Sequence, residues 1–216
     1  MLGVITTIIL IGLFFVWRWN SLPGYWQDNE AHARQNIDRL PELANRFENK
    51  MISEASLLDT EGQLVTLTVP YDLANAWLRS KFPKWMANQG YLIPPPFSDF
   101  MIATENGMPV IAFRLTTPEI EQVISMRFAV QLQGDNARIH LDNCRAGRLS
   151  IPAESIIEHL GNKLPGYNIE PLIKLVRGVT FERVTKHPGH TNRDLRLMDI
   201  KFIENEMVLT LQAQRR

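Results

Sequence analysis

A chain of 216 residues has room for one domain of ordinary size plus an accessory segment, and its 45% apolar content excludes wholesale disorder. Its 23 basic and 23 acidic residues cancel, so it lacks the basic excess with which nucleic-acid binders neutralise phosphate. A single cysteine, Cys144, excludes an intramolecular disulfide framework and a zinc-finger spacing.

Residues 2–17, LGVITTIILIGLFFVW, carry no charge. At ~1.5 Å per residue they make a helix of roughly 24 Å, slightly short of a bilayer core of about 30 Å. Trp17, Trp19, Tyr25 and Trp26 follow as aromatics suited to a membrane interface. A cleaved signal peptide wants a basic start and small residues at its cleavage site, and Arg18-Trp19 stands where those residues should be. The expectation is an uncleaved single-pass anchor over residues 1–20, a signal anchor holding the chain to the cell membrane through residues 2–17. Arg18 beyond the span leans weakly towards a cytoplasmic C-terminal domain.

Ser21-Leu22-Pro23-Gly24 breaks the chain after the anchor. Ile37, Leu40, Leu43, Ala44, Phe47 and Met51 then recur at helical spacing, with Pro41 placed to kink or divide the pattern. Residues 21–58 are expected as a juxtamembrane helical stalk, or as helices packed on the domain, and 59–216 as the globular domain.

Val65, Leu67 and Val69 alternate as in a strand, and Pro70 opens a helical run to Met86. Leu73, Trp77, Leu78, Phe82 and Trp85 fall on one side of that run, and Pro83 should end or bend it. Three prolines, 94–96, favour an extended connector. Strands over 99–104 and 108–115 flank Glu105-Asn106-Gly107, a hairpin signal. In 123–132, Ile124, Met126, Phe128, Val130 and Leu132 alternate with Ser125, Arg127, Ala129 and Gln131. That pattern predicts one buried face and one wet face. Ile139 and Leu141 continue the buried face. Gly147 permits a turn, and Pro152 starts a helix with the stripe Ile156, Ile157, Leu160 and Leu164. A short helical piece over 169–177 and strands over 178–185, 195–203 and 207–213 complete the chain. The fold class is α+β: one N-terminal transmembrane helix, then helices packed on one face of a curved antiparallel sheet.

Motifs for chemistry are sparse. His187-Pro188-Gly189-His190 is a turn without further metal-ligand types at the right spacing. In an extended strand His140 and Cys144 lie roughly 13 Å apart, too far for the histidine to activate the thiol, so Cys144 reads as a small buried hydrophobe. Ser155 and His159, one helical turn apart, have no third orienting residue beside them. No catalytic residue, metal ligand or cofactor is assigned, and the expectation is a non-enzymatic protein.

The run Val69-Pro70 to Asn75-Ala76-Trp77, the two-hairpin meander and the Gly-x-Leu-x-Ile-Pro corner at Gly147–Pro152 resemble the YpmS-like proteins over roughly residues 60–212. Those are bacterial membrane-anchored proteins with one N-terminal span. The resemblance implies an extracytoplasmic α+β domain and no defined activity. The pattern is also distantly similar to envelope domains in which a helix wrapped by a curved sheet shelters a lipid chain.

The leading expectation is therefore a membrane-anchored envelope protein that binds a lipid or other apolar ligand between sheet and helices. Trp77, Phe82, Trp85, Met126, Phe128, Ile156 and Leu160 are its candidate lining, and the same residues would fill an ordinary core. The alternative is a structural or scaffolding subunit of a membrane protein complex. A weaker alternative is an esterase-like hydrolase using Ser155 and His159.

Overall fold

The computed structural model describes residues 2–57, 62–155, 157–158, 170–186 and 193–215. The chain runs α1 (Leu2–Asn20), α2 (Gly24–Gln35), a 3-10 turn (Ile37–Arg39) and α3 (Leu40–Ser56) before β1 (Leu64–Pro70). Then come α4 (Tyr71–Ser80), α5 (Phe82–Asn88) and the strands β2 (Phe97–Glu105), β3 (Met108–Thr116), β4 (Glu121–Gln133), β5 (Asn136–Ala146) and β6 (Leu149–Ser150). After α6 (Glu170–Arg177) follow β7 (Val179–Glu182), β8 (Val184–Lys186), β9 (Arg193–Ile203) and β10 (Glu206–Arg215).

The protein is α+β, with helices and antiparallel strands. The strands make two sheets where one curved sheet was expected. The larger has the order β2-β3-β4-β5-β6, with β7 also on β5, and the smaller has the order β1-β10-β9-β8. The residues around Arg183 carry the chain from one sheet to the other, since β7 pairs with β5 and β8 with β9. The Arg183 guanidinium fastens the corner by donating to the carbonyls of Leu197 (2.7 Å), Gly134 (2.8 Å) and Met198 (3.0 Å). In the smaller sheet β10 lies between β1 and β9, pairing Leu64 with Gln212 at one end and Pro70 with Glu206 at the other.

The larger sheet is covered on both faces at the β2–β4 side, which corrects the expectation of a single buried face. Ile124, Met126, Phe128 and Cys144, expected to be buried, form a core with Phe113, Leu115 and Ala146, packed against Ala153 and by Leu175 and Val176 of α6. On the opposite face Met101, Ala103, Val110, Ala112 and Val123 are buried beneath Trp26 of α2. Trp26 is 0% exposed, so it is a core residue and not part of an interfacial belt. Arg114 fixes α2 in place: it lies over the Trp26 ring at 5.6 Å and pairs with Glu30, with Asp99 (3.0 Å) and with Glu121 (2.9 Å).

Pro41 divides the helical pattern of residues 37–51 as its missing N–H and fixed φ require, sitting in the first turn of α3. That segment packs on the body, with Leu43 and Ala44 of α3 buried. Pro83 likewise separates α4 from α5. Asn75 of α4 closes the exposed edge of β2: its amide donates to Ile102 O (3.0 Å) and its oxygen accepts from Ile102 N–H (2.7 Å). A sheet edge needs such cover to resist stray pairing.

Among the described residues no helix is long and apolar enough to cross a membrane. The uncharged part of α1, residues 2–17, reaches only roughly 24 Å. Yet Ile9, Leu10, Ile11, Leu13, Phe14, Phe15, Val16 and Trp17 are each 50–60% exposed, and consecutive residues of a helix point to every side.

Candidate functional site

The turn at Gly147-Arg148, between β5 and β6, is the seat of α1. A helix ends with unpaired carbonyls that need donors. Three of them find partners here. Arg18 O accepts from Arg148 N–H (3.0 Å), Trp19 O from the Gln122 side-chain amide (2.7 Å) and Trp17 O from Ser21 Oγ (2.6 Å). In return Arg18 Nε donates to Arg148 O at 3.2 Å. Gly147 makes the approach possible. Its φ is +58°, and a Cβ there would sit 2.8 Å from Ser21 O and closer still to Trp19 O. Only glycine combines that backbone conformation with that proximity.

Beside this junction lies a groove of about 260 Å3, lined chiefly by Trp19, Leu115, Ile120, Ile124, Ile151 and Pro152. Its floor is the buried face of β3 and β4, and its wall is the helix that begins at Ala153. That start, one residue after Pro152, matches the expected helix position. Gln122 and Ser155 supply polar atoms in the lining. The Gln122 amide donor is directed to Trp19 O, so the floor next to it is hydrocarbon.

The candidate lining residues divide into two groups. Met126 and Phe128 are buried in the sheet core. Trp77, Phe82 and Trp85 meet one another, with ring centroids 6.0–6.1 Å apart, on the α4–α5 side of the sheet. Phe82 touches Phe100 (5.3 Å) and Phe100 touches Phe113 (5.9 Å), so an aromatic relay joins the two groups. Ile156, Leu160 and His159 lie outside the described residues, as do Leu164 and the His187–His190 turn. The groove residues Leu115, Ile120, Gln122 and Ile151 were not singled out as lining. One signal existed: Gln122 continues the register of Ile124, Met126 and Phe128 and puts an amide where that face demands a hydrocarbon.

Two roomier clefts lie elsewhere on the protein. One, about 480 Å3, lies among α2, α4, β2 and the β9–β10 turn. Its Asn75 is committed to Ile102 and its Tyr71 hydroxyl to Thr104 Oγ1 (2.7 Å). The other, about 610 Å3, lies between the start of β3, the β4 segment Ala129–Gln131 and the end of β9. Among the described residues no group of His, Cys, Asp and Glu could hold a metal ion. Burial pushes the Cys144 thiol up to about 11, which keeps it protonated and unreactive at neutral pH. No family model, curated protein or solved structure matches the chain.

Proposed function

We propose that the protein is a membrane-anchored, non-enzymatic envelope domain that takes an acyl chain or similar apolar ligand into the groove beside α1. The observation that carries this reading is continuity. A helix with an exposed apolar surface carries Trp19 in its last turn, and Trp19 is itself a wall of the apolar groove. A helix that is apolar all round belongs in a protein core or in lipid. The described elements leave these side chains uncovered, which favours lipid. The shortfall of α1 against a bilayer core is of the size that local thinning absorbs. At about 260 Å3 the groove is smaller than ordinary ligand sites, roughly 300–1,000 Å3, so it suits one chain segment better than a rigid ring system. The resemblance to YpmS-like proteins supports an extracytoplasmic position for the domain.

The test uses the full chain in lipid nanodiscs, with a fluorescent fatty acid as probe and native mass spectrometry of the released protein. Uptake that is abolished by Ile120→Glu, with the melting temperature unchanged, supports the reading. No uptake and no co-purifying lipid sinks it. A stoichiometric protein crosslinked in native membranes to a chain that takes up no probe would favour the scaffolding subunit instead.

A further inference from the structure

Leu92 is 79% exposed, Tyr91 59% and Trp85 47%. These side chains lie on α5 and the connector that follows it, a stretch held firmly in place. Tyr91 N–H donates to Met86 O (3.0 Å), Phe97 N–H to Pro94 O (3.0 Å) and Thr116 N–H to Pro96 O (2.8 Å). Trp85 stacks on Phe82, and Phe82 packs edge-on against Phe100. The exposed aromatics are thus mounted on a rigid base.

Charge and position both bear on the partner. Residues 73–98 contain Arg79, Lys81 and Lys84 and no acidic residue. Lys81 is taken up by Glu48, while Lys84 is exposed. Trp, Tyr and Leu beside a lysine, in a stretch with no carboxylate of its own, are the composition of a bilayer interface. The sheet register fixes the location. Phe97 pairs with Leu115, Ile124 with Ala146, and Gly147 follows directly. The connector, the β3–β4 turn and the seat of α1 therefore share one end of the larger sheet.

We infer that the α5–connector tip, through Trp85, Tyr91 and Leu92, is a second contact with the lipid surface in which α1 is anchored. The inference rests on the membrane reading of α1 and adds to it. Two contacts at the same end of the sheet fix the domain's tilt and turn the groove mouth beside Trp19 towards the bilayer.

The experiment places single cysteines, labelled with an environment-sensitive nitrobenzoxadiazole dye, in the full chain carrying Cys144→Ala. The sites are Leu92→Cys at the tip, Leu13→Cys in α1 and Gln133→Cys at the opposite end of the sheet. The chain is reconstituted in vesicles of phosphatidylcholine and phosphatidylglycerol with spin-labelled lipids as quenchers. Shallow quenchers should act on the Leu92 site at least about twofold more strongly than on the Gln133 site, and deep quenchers should act on the Leu13 site. Quenching at Leu13 with Leu92 indistinguishable from Gln133 overturns the second contact and leaves the anchor standing. Absence of quenching at Leu13 removes the anchor reading, and the second contact with it. A Trp85→Ala, Leu92→Ser variant labelled at Tyr91→Cys checks the side-chain basis. Its label should lose quenching relative to Tyr91→Cys alone, and unchanged quenching overturns the assignment.

Discussion

The side-chain amide of Gln122 donates to the carbonyl of Trp19 across 2.7 Å, joining a buried strand position to the last turn of α1. With the Arg148 N–H on Arg18 O, this bond makes α1 a continuation of the folded body. Orientation at the helix end is then set by donors from the start of β4 and from the β5–β6 turn.

Gly147→Ala should release that end. The new methyl collides with the Trp19 and Ser21 carbonyls, and φ at this position adds strain of about 1 kcal/mol. The control is Gly134→Ala, whose φ of +55° carries similar strain while its Cβ meets nothing within 4 Å. Limited trypsinolysis should cut after Arg18 in the Gly147 variant and leave that bond protected in the Gly134 variant. Equal protection in both would show that the junction tolerates a side chain.

Asn75→Ala should cost about 2–4 kcal/mol, because it strands an amide and a carbonyl of Ile102 on an edge strand. Asn75→Asp keeps the acceptor for Ile102 N–H and sets a carboxylate against Ile102 O, so it should be no better tolerated. Thermal unfolding in detergent measures both. A loss below about 0.5 kcal/mol would mean that water replaces the carboxamide freely.

Arg183→Ala should loosen the two sheets from one another. Three bonds from one guanidinium to carbonyls on both sides of the corner are lost, and about 2–4 kcal/mol of stability with them. Hydrogen exchange should quicken in β8 and β9 more than in β3 and β4. Uniform acceleration would count against a local joint.

Cys144 gives a pH signature. Its folded-state pKa, about 11, lies above the unfolded value near 9, so the folded protein holds its proton longer. Stability from this group is full below pH 9 and is lost as pH rises towards 11, to an extent of about 2–3 kcal/mol. Burial also raises the Tyr25 and Tyr71 phenols, which act in the same direction at high pH. The difference between the wild type and Cys144→Ala therefore isolates the thiol. Denaturant titrations at pH 8 and pH 11 should converge by that amount in the variant, and parallel losses would contradict the burial argument.

Local signals carried much of this architecture. Asn106 and Gly107 both adopt positive φ, as the hairpin between β2 and β3 requires, and the prolines at 41, 83 and 152 fall at helix starts. The features that escaped depend on distant partners. Trp26 sits in a helix that is otherwise polar, GYWQDNEAHARQ, so nothing within α2 signals that one ring is completely buried. Its burial comes from the second apolar face of β2 and β3, where Met101, Ala103, Val110 and Ala112 interleave with residues of the first. The division into two sheets was hidden for the same reason, because β7 and β8 read as one strand until each finds a different partner. At the groove, a glutamine in a hydrocarbon register marked the position, but its partner lay 103 residues away.

The place of β10 between β1 and β9 has a temporal consequence. β1 leaves the ribosome well before the strand it pairs with, residues 206–215, has been synthesised. At about 5–20 residues per second that wait is roughly 7–30 s, during which an apolar edge strand stands unpaired beside α3 and α4. The larger sheet is built from consecutive hairpins and can close as it emerges, whereas the smaller one is completed only by its last strand. A nascent chain stalled before residue 206 would thus expose Val65, Leu67 and Val69 to chaperones, with much of the rest of the body already in place.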